Sequence, residues 1–512
     1  MIADSLILTG SDLTPEAVVA VARDRRKVGL ADSARSAMAA ARAVVERYLA
    51  EDRPAYGLTT GLGPRVVERV PHEELAAFSR ITVLGRAQAV GASLPAEAVR
   101  AAMLVRANGL ARGGAGAQPA VAEALVAALN AGVHPVVPSI ASVGAADLCL
   151  MAHIGLALIG EGDAEHEGLR RPAADALARA GLAPLELGPK DGLAICSANA
   201  VSAGQGALVL HDAGRLLAQA DLAAALSMEG FRANLSPLDP RVAAARPAPG
   251  QAESAGRLRK FLSGGALAEP GAARRVQDPL SFRCVSQVHG SLAAALAFAA
   301  PAVAAELNGA GDNPLVLPDT GEMLSTGNFH TPAMALAFDA LGLALSQVAN
   351  LAVNRMERLL TERLSALPTG LTRRNMTRVG MGAATKAMEA LAAEIRHLAN
   401  PVSIDQRAGA DNVEDDTTNA AYAVAKAARM IERLRLLVAF ELIAGAQAVE
   451  LAGVERLGQG TRAAYSAVRA LVAPIDEDRP LGGDVERVAQ ELLAGGALVR
   501  AAETGDDAGG AR

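Results

Sequence analysis

The chain has 512 residues and a formal net charge of −6; 51% of its residues are apolar, but only 2% are aromatic and none is tryptophan. Alanine, leucine and valine dominate the apolar content, which favours helices packed closely through small side chains and so an all-α fold, while the length allows roughly three average domains or one larger cooperative body. The mildly acidic balance, without a basic block or an Arg/Lys stripe, argues against nucleic acid or an anionic membrane as partner and in favour of a small molecule.

In chain order, SDLTPEAVVAVARD predicts a helix that Ser11 or Thr14 caps and Pro15 starts, followed by a second over ADSARSAMAAARAVVERYLAED. YGLTTGLGPRV, from Tyr56, has three glycines and two threonines in a short span and reads as a loop whose backbone approaches something closely. Helix resumes from about Glu73 to Gly91. ARGGAG and HPVVPSIASVG then bracket the helical stretch PAVAEALVAALNAG, so ASVGAADLCLMAHIG sits at a loop-to-helix junction. Beyond Gly204 long helical segments, such as FDALGLALSQVANLAVNRMERLLTERLSAL, KAMEALAAEIRHLAN and NAAYAVAKAARMIERLRLLVAFELIAGAQAVELAG, predict a bundle. They are broken by RVQDPLSFRC, ELNGAGDNPLV, LSTGNFHTP and IDQRAGADNVEDDTT, connections that can present functional groups from a rigid scaffold. The expected organisation is an N-terminal active-site domain over 1–203, a central and C-terminal helical bundle over 204–500, and a polar, glycine-rich frayed tail over 501–512.

No apolar run reads as a membrane span, because the best candidate, SLAAALAFAAPAVAAEL, is interrupted by Pro301, and MIADSLILTG lacks a basic n-region; the expectation is a cytoplasmic protein. Cys149, Cys196 and Cys284 are an odd set in no metal-ligand spacing, so reduced thiols acting as small buried hydrophobes are expected, with neither a disulfide framework nor a metal site.

Several of the breakers occur together, in order, from Tyr56 to about Tyr422: YGLTTGLG, VHPVVPSIASVGAADL, HIGLALIGEG, KDGLAICSANA, VQDPLSFRCVSQVHG, GDNPL, STGNFH and NVED. Each is weak alone, but the ordered combination resembles the histidine and phenylalanine ammonia-lyase superfamily. The resemblance implies an all-α homotetramer whose active sites are each assembled from three subunits. Members of that family normally convert an internal Ala-Ser-Gly into a methylidene-imidazolone, an electrophile that activates the amine or the adjacent proton. Here the family's Gly-Ala-Ser-Gly-Asp-Leu is replaced by Gly144-Ala145-Ala146-Asp147-Leu148, one residue shorter and without the serine. Ser142 stands nearby but precedes Val143, whose branched side chain opposes the tight approach that cyclisation requires. The expectation is therefore that no such group forms and no cofactor is used. A quaternary ammonium leaves as neutral trimethylamine without that activation, and the deletion resembles the ergothionase branch, which eliminates trimethylamine from the histidine betaine ergothioneine.

The resemblance implies roles residue by residue. Tyr56 matches the family's catalytic base; a free phenol titrates near 10, roughly three units too high for neutral pH, so it needs a relay or a favourable neighbour. Arg283 matches the arginine that grips the substrate carboxylate with a planar fork, with a structural ion pair as the alternative. Asn313, and Asn328 with Phe329, match pocket positions, where amides orient the carboxylate and the ring contacts substrate; core hydrogen bonding and packing are the alternatives. Glu414 retains the acidic residue of the family's Asn-Gln-Glu-Asp, able to neutralise a substrate cation or bond an imidazole, or else it belongs to a solvated acidic loop with Asp415 and Asp416. Lys386 stands where conventional members have an apolar or small residue; it can pair with Glu414, bind the carboxylate or favour the phenolate, or be an exposed helical lysine.

The departures are as informative as the matches. Leu280 replaces the tyrosine that usually precedes the carboxylate-binding arginine, the histidine of the Ser-His pair is replaced near Gly85 and Arg86, and Ser197 stands for the asparagine of LLNGT. These changes remove groups that support ordinary histidine deamination. Tyr56, Phe329 and Tyr422 offer some cation-to-ring attraction, while His153 and His330 read as satisfied core histidines. Two rivals stay open: a conventional histidine or aromatic ammonia-lyase with the group made from another tripeptide, and a silent binding or scaffold homologue.

Overall fold

The computed structural model describes residues 5–372, 377–405 and 407–504. The protein is mostly helical, as the alanine-rich composition predicts. Its chain forms two compact units that are not consecutive in sequence: one of residues 1–211, 299–338 and 401–425, the other of 212–298, 339–400 and 426–512. This differs from the expected single break at 203/204, because the chain returns twice to the first unit, with the very segments that hold GDNPL, GNFH and NVED.

In the first unit the helix Pro15–Ala22 starts as expected, with Thr14 accepting from the Ala17 N–H and Pro15 in the first turn, and Asp32–Ala50 follows. At its centre runs Ala96–Ala111, buried on every side from Ala98 onward, arginines included. The expected helix to Gly91 ends at Arg86, and Val90–Ser93 instead pairs antiparallel with Pro138–Ile140. HPVVPS is thus partly extended: His134–Pro135 forms the edge of a small sheet with Asp163–His166 and Leu169–Pro172. Two further pairs, Leu6–Leu8 with Val28–Leu30 in parallel and Leu315–Leu317 with Glu322–Leu324 antiparallel, tie loops down without forming a layer.

Arg100, almost fully buried, has no carboxylate partner among the described residues; it donates instead to the carbonyls of Val21 and Ala22 and of Leu129, at the ends of two helices, and lies 3.1 Å from His134 Nε2. Carbonyls at helix C-termini carry partial negative charge, which is what a buried cation needs. Burial first, then the charges of Arg100, Arg25 and His166, push the His134 pKa down to about 4. The ring is therefore neutral in the folded chain, whereas in the unfolded chain it takes up a proton below about 6.5. Stability that is complete above pH 6.5 is lost as pH falls toward 4, by about 2 kcal/mol at pH 5. Urea unfolding at pH 7 and pH 5 is expected to show this loss, and His134→Gln is expected to remove it.

The second unit is the bundle proper, containing Gln251–Leu262, Ala384–Leu398 and Gln459–Leu471 and parts of the longest helices. Small residues set its spacing, for a Cβ on Gly230 would lie 2.5 Å from Ala448 Cβ. Pro301 does not interrupt its segment: the helix Val285–Asn308 runs through it, with Pro301 and Ala297, the residue whose carbonyl the ring frees, both exposed to water. The reading that no apolar run reaches membrane-span length is likewise corrected. Residues Asp191–Phe231, Val285–Asn308 and Pro332–Leu360 are long and apolar enough to cross a membrane by length and composition. Helices at the centre of an alanine-rich bundle are as apolar as membrane spans; the apolar windows of the first and third are mostly buried in protein, whereas that of Val285–Asn308 is 28% buried in the single chain. The last helix, Ala497–Thr504, takes in the first four residues of the expected tail, and 505–512 lie outside the described residues.

Candidate active site

The loop-to-helix junction is a tightly held tip. Gly144 (φ +90°) and Ala146 (φ +58°) flank Ala145, and both need the left-handed region. A Cβ on Gly144 would lie 2.0 Å from Thr418 Oγ1, so glycine is required there. Thr418 donates to the Gly144 carbonyl (3.1 Å), the Asn419 N–H to that of Val143 (2.9 Å) and the Ala146 N–H to that of Phe329 (3.2 Å). Behind the tip Asp147, 1% exposed, accepts from Ser142 Oγ (2.9 Å) and from the N–H and Oγ of Ser202 (2.8 Å each). Burial nevertheless raises its pKa, the hydrogen bonds only opposing the shift. Glu306 is also raised by burial, with the Asp147 charge adding to it, and it accepts from Asn199 Nδ2 at 2.9 Å. Neither acid is a candidate site residue from the sequence; Asp147 stands inside the shortened motif, but nothing in the sequence signals its burial.

Tyr56 lies in the glycine-rich loop and is half-buried. Its phenol oxygen accepts the Gly63 N–H at 2.9 Å, which fixes the ring within its own turn. The turn Gly63–Arg65 touches the turn Ala410–Asn412, which precedes Glu414. Glu414 is half-buried and its backbone closes a two-way bridge with Gly409 (2.7 and 3.3 Å). The loops of Tyr56 and Glu414 are therefore neighbours. Cys149 lies in the same region: burial raises its thiol pKa, the Arg86 guanidinium opposes this and the Glu414 carboxylate adds to it. Arg86, noted from sequence only as a departure, is a cation that the last turn of Leu75–Arg86 brings within electrostatic reach of the Cys149 thiol.

Asn313 and Asn328 are tied to one loop. Asn313 Oδ1 accepts the Thr326 N–H (3.0 Å) and Asn328 Nδ2 donates to the Ala310 carbonyl (3.2 Å), so each amide spends one group on backbone and keeps another. The preceding Asp312 is clamped by Arg106 in a buried pair at 2.7 Å. Lys190, completely buried and pushed down to about 8 by that burial, donates to the carbonyls of Ala115 and Pro314, joining the KDGL segment to GDNPL. Phe329 is half-buried, and Ser197 is buried where the short helix Asp191–Cys196 ends.

Arg283 and Lys386 belong to the second unit. Arg283 ends the short helix Leu280–Arg283, is half-buried and makes no ion pair among the described residues, although Asp278 feels its charge. Lys386, on Ala384–Leu398, has its side chain 81% exposed and faces Glu389 one turn on at 3.6 Å.

His153 is half-buried, accepts the Ala89 N–H at 3.2 Å and is pushed down by burial. His330, expected as a core histidine, is partly exposed and lies 2.9 Å from Asp416, its backbone bridging Ala145. Of the three cysteines, all free, only Cys196 is fully buried, its thiol pushed up to about 12; Cys149 and Cys284 are half-buried. Among the described residues no group of three or more His, Cys, Asp or Glu side chains is placed to hold a metal.

The profile of the aromatic amino acid lyase family matches residues 13–470, and the chain belongs to that family. Among its relatives, the histidine ammonia-lyase of Symbiobacterium thermophilum is 42% identical over 495 residues, covering 96% of this chain and 97% of its own. The ergothionase of Treponema denticola, solved in complex with desmethyl-ergothioneine sulfonic acid, superposes with a TM-score of 0.93 at 33% identity, over 97% of this chain and 99% of its own. The histidine ammonia-lyase of Trypanosoma cruzi gives 0.91 at 30%, over 98% and 96%.

Proposed function

We propose that this chain is a lyase that works without a methylidene-imidazolone group and eliminates trimethylamine from ergothioneine or a related histidine betaine. The observation that carries the reading is the tip at Gly144–Asp147. The group needs a serine hydroxyl to lose and a compact amide nitrogen to close the ring, and the tip offers Ala145 and Ala146. The serine nearby in the sequence, Ser142, has its hydroxyl committed to Asp147 Oδ1 and is followed by branched Val143. The residues present do not fit the group.

In this reading Tyr56, as phenolate, takes the β proton; the C–H electron pair becomes the Cα–Cβ double bond, and the Cα–N pair leaves with neutral trimethylamine. The product is an α,β-unsaturated acid. Arg283 holds the carboxylate throughout, which fixes the angle between the breaking bonds. Glu414 faces the cation or the imidazole, and Lys386 bonds the carboxylate or Glu414. The enzyme is a homotetramer with sites shared between chains, so a monomer is inactive. The weakly buried apolar helix Val285–Asn308, with Phe298 51% exposed, supports association.

The 42% identity to a histidine ammonia-lyase favours a second reading, ordinary deamination of histidine. Incubation with ergothioneine, hercynine, histidine, phenylalanine and tyrosine, assayed separately for trimethylamine and ammonia, separates the two. The expected result is trimethylamine from a betaine, and an intact mass equal to that of the unmodified chain. A mass lower by two waters, or brisk ammonia release from histidine, overturns the first reading; no amine from any substrate points to a silent homologue.

A further inference from the structure

The second unit holds a cavity of about 330 Å³ that the lyase reading does not use. Glu229 lines it and is 1% exposed. Its Oε1 accepts the Gly458 N–H (2.8 Å) and the Thr461 hydroxyl (2.9 Å), capping the helix Gln459–Leu471. Its Oε2 is buried without a hydrogen-bond partner among the described residues. A buried carboxylate oxygen left unpaired is costly, and burial already holds this carboxyl above the usual carboxylate range.

The surroundings select the sign of what completes it. The lining carries three carboxylates, Glu229, Glu269 and Glu455, against one guanidinium, Arg232. Arg232 does not serve Glu229, because its Nε and Nη2 both donate to the Ala272 carbonyl (3.2 and 3.0 Å). Glu269 is paired with Arg456, while Glu455 is exposed and makes no ion pair among the described residues. Two long helices, Ala200–Phe231 and Ala420–Leu451, end beside this cavity, Arg232 following the first and Ala452 to Val454 the second. Both contribute the negative ends of their dipoles. The volume sits at the lower end of the ~300–1,000 Å³ of small-molecule sites.

We propose that this cavity binds a small organic cation carrying at least one N–H donor, a primary ammonium or an amidinium, whose N–H completes Glu229 Oε2. A quaternary ammonium supplies charge but no donor and is excluded. None of the candidate active-site residues lines this cavity, so the proposal stands or falls independently of the lyase reading.

The test uses the full chain and two probes, butylammonium and tetramethylammonium, titrated calorimetrically at constant ionic strength. Butylammonium is expected to bind saturably and tetramethylammonium not at all. Glu229→Gln keeps an amide oxygen for Gly458 and Thr461, so the helix cap persists, and it is expected to weaken butylammonium by about tenfold or more. Glu455→Lys, a change at an exposed residue, is expected to weaken it as well by placing a competing ammonium at the mouth. Equal binding of both probes, unchanged affinity in the two variants, or no saturable binding of butylammonium overturns the proposal.

Discussion

Tyr56→Phe is expected to lower turnover of the betaine by a factor of about 10²–10⁴, the usual contribution of a positioned general base, with little change in stability. The substitution removes one oxygen, and the structure says what else that oxygen does: it accepts the Gly63 N–H at 2.9 Å. Gly63 is partly exposed, so water can replace the lost acceptor, and the stability cost should not exceed about 1 kcal/mol. The ring is retained, so the loop keeps its packing. A fall in kcat with KM nearly constant, and an unfolding midpoint within a few degrees of the parent, is therefore the signature of a group that acts in the transition state. Turnover of the phenylalanine variant within threefold of the parent would remove Tyr56 from the chemistry and leave the elimination without a base.

The contrast between Tyr56 and Lys386 marks what can be read before a structure is available. Tyr56 sits in YGLTTGLG, where the glycine density itself reports a backbone in close approach, and the loop is found next to the Glu414 turn. The long helices are legible for a similar reason: Pro332–Leu360 and Ala420–Leu451 keep their periodicity over many turns, so single residues hardly matter. Pro301 misleads because its cost is local, one carbonyl on a face that the single chain leaves uncovered. Lys386 and His330 show the other limit. Lys386 takes the ordinary one-turn helical pair with Glu389, which its resemblance-based role does not foretell, and that His330 finds Asp416, 86 positions away, depends on a pairing that no local pattern encodes. The buried Asp147 and the half-buried Glu306 escape notice for the same reason, since burial is a property of the assembled unit.

Glu441→Gln is expected to cost about 3–5 kcal/mol of folding stability and to raise KM for a carboxylate substrate more than it lowers kcat. Arg355 and Glu441 are both fully buried, joined by two parallel contacts, Nε to Oε1 at 2.7 Å and Nη2 to Oε2 at 2.8 Å, with Ser227 adding a hydroxyl at 3.1 Å. The amide substitution leaves a guanidinium with no counter-charge inside the bundle, which is why one half removed costs more than the pair is worth. Arg355 Nη1 also donates to the Ser281 carbonyl at 3.3 Å, inside the turn that ends at Arg283, and the adjacent Phe282 stacks on Phe231 at 4.0 Å. These two anchors hold the arginine that the proposed chemistry asks to grip the carboxylate. Slackening one of them loosens a contact present in ground and transition states alike, hence the effect on KM. The double variant Arg355→Met with Glu441→Leu removes both charges and should recover much of the stability without restoring KM. Urea unfolding of the four members of that cycle, with kcat and KM at a temperature where all are folded, separates the buried charge from the placement of Arg283. Equal loss of stability in the single and double variants would mean that packing, and not the unpaired cation, carries the cost.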